Sequence, residues 1–210
     1  MNNFTTTVFS LLLMVFSVAA FANNTAKTYE GSVILEDGQT LEGTIEMAGP
    51  ILNEMKVKFI DNNGTSTIYK AKEVVAYSFI FPKYNAATKT YDNQVIEYVK
   101  KEMAVSPVPF GPKEVLVERQ INGTISLYNF YVETRASSQA FSHSYFVEKD
   151  GQTIELSTGN YKGVLQGLVA DYPALKVKVG QKGYSYKYVD NIVTEYNDYL
   201  INNSPSYGVR

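Results

Sequence analysis

Apolar and polar residues alternate along the first half of the chain, and this pattern predicts short β-strands. In the clearest example Met55, Val57 and Phe59 share one face and lysines occupy the other, which is typical of a strand with one buried side. Asp37-Gly38 and Asn63-Gly64 predict tight turns, because these dipeptides suit two-residue hairpin loops. Strands are predicted over residues 29–36, 40–47, 55–60, 66–69 and 74–81, the last stopped by Pro82. Five short strands joined by tight turns predict a small antiparallel, β-barrel-like sheet of the SH3-like kind.

A proline-rich segment interrupts the strands in the middle of the chain. Residues 104–112 contain three of the seven prolines, so no helix or central strand continues through them. Before this segment, residues 82–90 predict a loop and residues 95–103 a strand, although a helix also fits the latter. After it, two hairpins separated by a loop over residues 134–141 are predicted, with strands over residues 115–121, 124–132, 144–148 and 153–156.

Helical spacing replaces strand alternation near the end of the chain. A first amphipathic stripe, which Pro173 stops, consists of Tyr161, Val164, Leu165, Leu168, Val169 and Tyr172. A second consists of Tyr186, Val189, Ile192, Val193, Tyr196, Tyr199 and Leu200. Residues 175–179 fit either a strand or a short helix. Strands first and helices last predict an α+β fold, with C-terminal amphipathic helices packed against the β hairpins.

Residues 1–22 have the layout of a secretory signal peptide. An uncharged start is followed by an apolar run from Val8 to Phe21 and by the small-x-small end Ala20-Phe21-Ala22. The apolar run is too short to span a bilayer comfortably, and no second long apolar run follows it. We therefore predict cleavage after Ala22, a location in the periplasm or at the cell surface, and no transmembrane segment after cleavage. A buried N-terminal helix is the alternative.

Composition narrows the class of protein further. The net charge of −2 and the lack of a basic run interleaved with aromatics argue against nucleic-acid binding. The absence of cysteine excludes disulfides, thiolate metal sites and thiol nucleophiles, and it fits an exported bacterial envelope protein held by its own core.

The predicted organisation has three parts. Residues 1–22 form the signal peptide, residues 23–104 a β-rich N-terminal subdomain, and residues 105–210 a subdomain of hairpins and helices. One continuous domain over residues 23–210 is the alternative.

No group of residues predicts catalysis, a metal or a cofactor. His143 is the single histidine, and although Ser142 and Ser144 flank it, no nucleophile elbow precedes a helix. Residues 61–64 resemble part of a calcium loop but lack its full ligand series, so they predict a turn. Nothing in the pattern of glutamates shows which two could serve as the catalytic carboxyl groups of a glycosidase.

Tyrosine is unusually frequent, with 17 residues and no tryptophan. One predicted strand carries Tyr128 on one face and Tyr131 on the other. Aromatics on both faces indicate either a strand covered on both sides or a strand that presents one face to a ligand, and core packing is the simpler explanation. As candidate ligand-binding residues, for a sugar, a peptide or a partner protein, we select Tyr128 and Tyr131.

The order of these elements resembles a family of exported bacterial proteins with no assigned activity. Three motifs carry the resemblance. The first is a hairpin made of Gly31-Ser32-Val33-Ile34-Leu35, Asp37-Gly38-Gln39-Thr40 and Gly43-Thr44-Ile45. The second is the turn Asn122-Gly123-Thr124-Ile125-Ser126-Leu127-Tyr128, and the third is the helix end Ile192-Val193-Thr194-Glu195-Tyr196-Asn197. The resemblance implies export and this architecture, and it transfers no site.

The function predicted from these features is a non-catalytic binding or structural module of the bacterial envelope. Its partner would be a protein, a peptide or a polysaccharide. A hydrolase acting on envelope or extracellular polymers is the alternative, which convergent carboxylates of raised pKa in a pocket would favour.

Overall fold

The computed structural model describes residues 27–134 and 141–203. The predicted signal peptide and nearly all of the predicted loop over residues 134–141 lie outside the described residues. The strands are β1 (Lys27–Leu35), β2 (Thr40–Met47), β3 (Lys56–Ile60), β4 (Ser66–Lys70), β5 (Val74–Asn85), β6 (Thr90–Glu102), β7 (Glu114–Ile121), β8 (Ser126–Glu133), β9 (Phe141–Lys149) and β10 (Gln152–Leu156). The helices are α1 (Pro50–Met55), α2 (Tyr161–Leu168), α3 (Pro173–Lys176) and α4 (Val189–Asn203), with 3₁₀ turns at Ala71–Glu73 and Tyr186–Tyr188.

All ten strands belong to one antiparallel sheet, in the order β10-β9-β8-β7-β6-β5-β1-β2-β3-β4. The predicted small SH3-like barrel is therefore wrong, because β5 pairs with β6 and carries the sheet onward through β7 to β10. The predicted α+β class is corrected as well, since the fold is mainly β with a few short helices. Both predicted subdomains contribute strands to this sheet, and the division between them stays a prediction.

Pro82 explains why the barrel prediction failed. It lies inside β5, opposite Asn93 of β6, and does not end the strand. On its other side β5 pairs with β1 only from Val74 to Phe79, so no neighbouring strand needs the N–H that proline lacks. Beyond that point β5 and β6 pair only with each other and form a two-stranded ribbon where a loop was predicted.

The helical region agrees with the sequence pattern in part. The first predicted helix begins at Tyr161 as α2, but it ends at Leu168 and not at Tyr172. A separate short helix, α3, begins at Pro173. The second predicted helix is confirmed as α4, preceded by a 3₁₀ turn over Tyr186–Tyr188. Within the described ranges no helix is long and apolar enough to cross a bilayer.

Two core clusters cover the inner face of the sheet, one toward each end. The N-terminal cluster is made mainly of Val33, Ile45, Val57, Phe59, Tyr77, Phe79, Tyr98 and Leu116. The C-terminal cluster joins Ile125, Leu127, Val147 and Leu156 to residues of the helices and of the turns that follow them, namely Leu165, Val169, Leu175, Val179, Val189, Ile192, Val193 and Tyr196. A third cluster lies on the outer face and contains Met103, Val115, Val117, Tyr128, Phe130 and Phe146.

A side-chain clamp joins α4 to the loop between β7 and β8. Asn197 is buried, and its Oδ1 accepts the Ile125 N–H at 2.9 Å while its Nδ2 donates to the Ile125 carbonyl at 2.8 Å. A Cβ on Gly123 would lie 2.4 Å from Asn197 Nδ2, so the close approach of the amide requires glycine at that position. The turn motif and the helix-end motif of the sequence therefore meet in space.

Replacing Asn197 by Ala should lower the free energy of unfolding by about 2–4 kcal/mol. The substitution leaves a buried N–H and a buried C=O of Ile125 without partners, and each such loss costs about 1–3 kcal/mol. Denaturant unfolding measures the change. Thr194→Ala, at an exposed position of the same helix, is the matched control. Its free energy of unfolding should stay within about 0.5 kcal/mol of that of the parent protein. Equal stability of the two variants would show that the clamp contributes nothing.

Candidate functional site

A continuous line of six aromatic rings runs over the inner face beside the C-terminal cluster. Alternation along β9 places Phe141, His143 and Tyr145 on one face, and the register sets Tyr131 of β8 opposite His143. Neighbouring ring centroids are 5.6 Å apart for Phe141–Tyr131, 5.2 Å for Tyr131–His143, 4.6 Å for His143–Tyr145, 5.5 Å for Tyr145–Tyr186 and 5.8 Å for Tyr186–Tyr161. We call these six residues the aromatic track.

The rings of the track hold one another in place and stay accessible. Four of the five contacts are edge-to-face, which is a favoured geometry for aromatic pairs. Phe141 and His143 are exposed, whereas the four tyrosines are half-buried. The Tyr186 hydroxyl also donates to the Leu156 carbonyl at 3.2 Å. The track is therefore a preorganised surface.

A chain of hydrogen bonds runs along one side of the track. His143 Nε2 donates to Asn129 Oδ1 at 2.8 Å, and Asn129 Nδ2 donates to Glu118 Oε2 at 3.3 Å. Partial desolvation lowers the pKa of His143. Because an amide oxygen can only accept, the bond to Asn129 Oδ1 requires a proton on Nε2. Burial raises the pKa of Glu118, and hydrogen bonds from Asn129 and Gln120 oppose that rise. These bonds tie His143 of the track to Asn129 of β8 and to Glu118 of β7.

Helix α1 completes the site from the other side. The pairing of β7 with β8 stops where Glu118 faces Asn129, so the N–H of Tyr131 has no strand partner on that side. Glu54 of α1 replaces the missing strand, because its Oε1 accepts the Tyr131 N–H at 2.7 Å. This carboxyl group is fully buried, and its Oε2 has no hydrogen-bond partner. Burial, opposed by the Tyr131 hydrogen bond and aided by the charge of Glu118, raises the pKa of Glu54 to about 9.

Further contacts fix α1 in this position. Asn53 is buried, its Oδ1 accepts the Ala48 N–H at 3.1 Å, and its carbonyl accepts the Tyr77 hydroxyl at 3.1 Å. Tyr77 in turn stacks on Tyr98 with 4.7 Å between the ring centroids. Glu54 is consequently held against β8 by the N-terminal cluster.

The structure separates the two tyrosines selected from the sequence. Tyr128 is 4% exposed and belongs to the outer-face cluster, where Lys101 Nζ lies 5.1 Å from its ring centroid. Tyr131 lies on the inner face, between Phe141 and His143 of the track. Of the pair, Tyr131 is the residue that a ligand can reach in this structure.

The rest of the site was missed from the sequence. The sequence predicts no catalytic role for His143, and in the structure its ring lies between Tyr131 and Tyr145 of the track. The alternation of Phe141, His143 and Tyr145 was available as a signal, but the strand was predicted to begin only at Ser144. Nothing in the local pattern indicates that Tyr161 and Tyr186 join the same line.

The described part of the chain contains no group of three or more histidine, cysteine, aspartate or glutamate side chains that could hold a metal ion. No protein-family model, no curated protein and no solved structure matches the chain.

Proposed function

We propose that the protein is a non-catalytic binding module and that the aromatic track is its ligand-binding surface. The observation that carries this proposal is the unbroken contact of six rings that remain exposed or half-buried. Tyr145, Tyr161 and Tyr186 pack against the edge of the C-terminal cluster, whereas Tyr131 lies outside that cluster and Phe141 and His143 remain exposed. Tyrosine offers a flat apolar face and a hydroxyl at little conformational cost, so such a surface binds without a titrating group.

The shape of the track favours an extended polymer as ligand. Rings in a line can contact successive units of a chain, whereas a compact molecule would require a convergent pocket. The tyrosine hydroxyls of the track can donate and accept hydrogen bonds, which suits a ligand rich in hydroxyl groups. A neutral polysaccharide fits both requirements, and export to the periplasm or cell surface is part of the same proposal.

Replacing Tyr131 by Ala should weaken polysaccharide binding by roughly tenfold, because loss of a central aromatic contact costs about 1–2 kcal/mol. Tyr131→Phe should have a smaller effect, and His143→Phe should preserve binding because it keeps a ring and removes the titrating group. Retardation in native gels containing soluble β-glucan, xylan or glycol chitin measures the affinity.

Tyr91→Ala is the matched control for Tyr131→Ala. Tyr91 is 70% exposed on the β5–β6 ribbon, away from the track, so its loss should leave binding unchanged. The proposal fails if Tyr131→Ala binds like the parent protein, or if the control weakens binding to the same extent.

A hydrolase acting on envelope or extracellular polymers is the second candidate, and Glu118 is the observation that favours it. Its carboxyl group has a raised pKa, and the residue lies opposite Asn129, which binds His143 of the track. Glu54 also has a raised pKa, but its carboxyl group is fully buried. A glycosidase needs two carboxyl groups at the bond that it cleaves. Turnover of a polysaccharide that Glu118→Gln abolishes would establish the hydrolase in place of the binding module.

A further inference from the structure

A second surface lies where α1, the 3₁₀ turn at Ala71–Glu73 and the start of β7 meet. It is a groove of about 320 Å³. Met55, Ala71 and Pro112 contribute apolar side chains to its lining. The charged residues around it are Lys56, Lys70, Lys72 and Glu114. We call this surface the lysine groove.

The lysines of the groove are arranged in an unusual way for a β-sheet. Lys56 of β3 lies directly opposite Lys70 of β4, and like charges in directly opposed positions destabilise a strand pair. Lys72 follows in the 3₁₀ turn. Three lysines against one glutamate leave the groove with an excess of two positive charges, in a protein whose net charge is −2.

Another lysine of β3 does have a carboxylate partner. Lys58, two residues from Lys56 and on the same face of β3, forms an ion pair with Glu46 at 2.7 Å. The five ion pairs found among the described residues include none of the three groove lysines. Lysine stems often cover apolar surface while the ammonium group stays in water. That ordinary role does not account for two directly opposed ammonium groups that form none of the ion pairs among the described residues.

We propose that the lysine groove binds a free single-chain fatty-acid anion. The apolar lining would enclose the hydrocarbon chain, and the ammonium groups of Lys56, Lys70 and Lys72 would hold the carboxylate. The concave form of the groove supports a free molecule rather than a membrane, because membrane binding needs an apolar surface that protrudes into the headgroup layer. This proposal is independent of the aromatic track.

Calorimetric titration of the full chain with dodecanoate, below its micelle concentration, tests the proposal. We expect saturable binding of one dodecanoate per chain and weak or absent binding of dodecyltrimethylammonium, which carries the opposite charge. Lys70→Glu and Lys56→Glu should each weaken dodecanoate binding by roughly tenfold or more, equivalent to about 1.4 kcal/mol. Lys70→Met keeps the apolar stem and serves as a milder variant if charge reversal disturbs folding.

Lys83→Glu and Lys89→Glu, which make the same change of charge on the β5–β6 ribbon, are the matched controls. The proposal is overturned if dodecanoate does not bind, if both amphiphiles bind equally, or if the control variants weaken binding as much as the groove variants. Binding to anionic lipid vesicles without binding of free dodecanoate would replace the proposal with a membrane contact.

Discussion

Raising the pH from about 5 to about 9 will lower the free energy of unfolding of this protein, and replacing Glu54 by Gln will remove most of that loss. The pKa of Glu54 is about 9 in the folded chain against 4.5 for the unperturbed group. Between these values the unfolded chain has released the proton and the folded chain still holds it. The unfolded state then binds fewer protons, so stability falls as pH rises. Each pH unit in this window costs about 1.4 kcal/mol, and the total amounts to several kcal/mol.

Urea unfolding at a series of pH values measures this slope. In Glu54→Gln the amide oxygen can still accept the Tyr131 N–H, while the new NH₂ group stands where Oε2 has no partner. The variant should therefore be less stable than the parent protein near pH 5, by about 1–3 kcal/mol, and more stable near pH 9. The curves of unfolding free energy against pH for the two proteins should therefore cross.

Glu102→Gln, at an exposed position near the end of β6, controls for a general effect of charge and should keep the slope of the parent protein. A parent curve that is flat across this range would mean that Glu54 ionises normally. An unchanged slope in Glu54→Gln would assign the pH dependence to another group.

Replacing Leu165 by Ala should lower the free energy of unfolding by about 2–5 kcal/mol, as truncation of buried leucines does. Leu165 of α2 is fully buried in the C-terminal cluster, where sheet residues such as Leu127 and helical residues such as Ile192 share one core. Its truncation leaves a cavity at the junction of sheet and helices.

Leu168→Ala and Lys162→Ala in the same helix complete the measurement by denaturant unfolding. Leu168 is half-buried, so Leu168→Ala should lower the free energy of unfolding by less than Leu165→Ala does. Lys162 is exposed, so Lys162→Ala should lower it by less than about 0.5 kcal/mol. A loss below about 0.5 kcal/mol for Leu165→Ala would contradict the shared core and make the helix peripheral.

The sequence by itself determined the features that depend on a few neighbouring residues. Asp150 and Gly151 have φ of 53° and 76° and form the two-residue turn that their types predict. The bounds Thr40–Met47 agree with the alternation of that segment, and α4 follows its helical stripe. Each of these features is encoded in local backbone preferences and in the spacing of apolar residues.

Only the tertiary structure decided the features that depend on distant partners. Pro82 is tolerated because no strand pairs with β5 at that point, a fact that no local pattern contains. Helix α1 has six residues and too few local bonds to persist alone, and it forms where the buried Glu54 replaces a strand.

The aromatic track belongs to the same category. It joins Tyr131 of β8 and His143 of β9 to Tyr186 and Tyr161, which come from the 3₁₀ turn and from α2. Apolar spacing shows which side of an element is buried, but the side chains that meet across elements are set by sheet order, register and helix placement. These are decided by the free energy of the whole packed chain, and for that reason the barrel prediction failed where the individual strands were found.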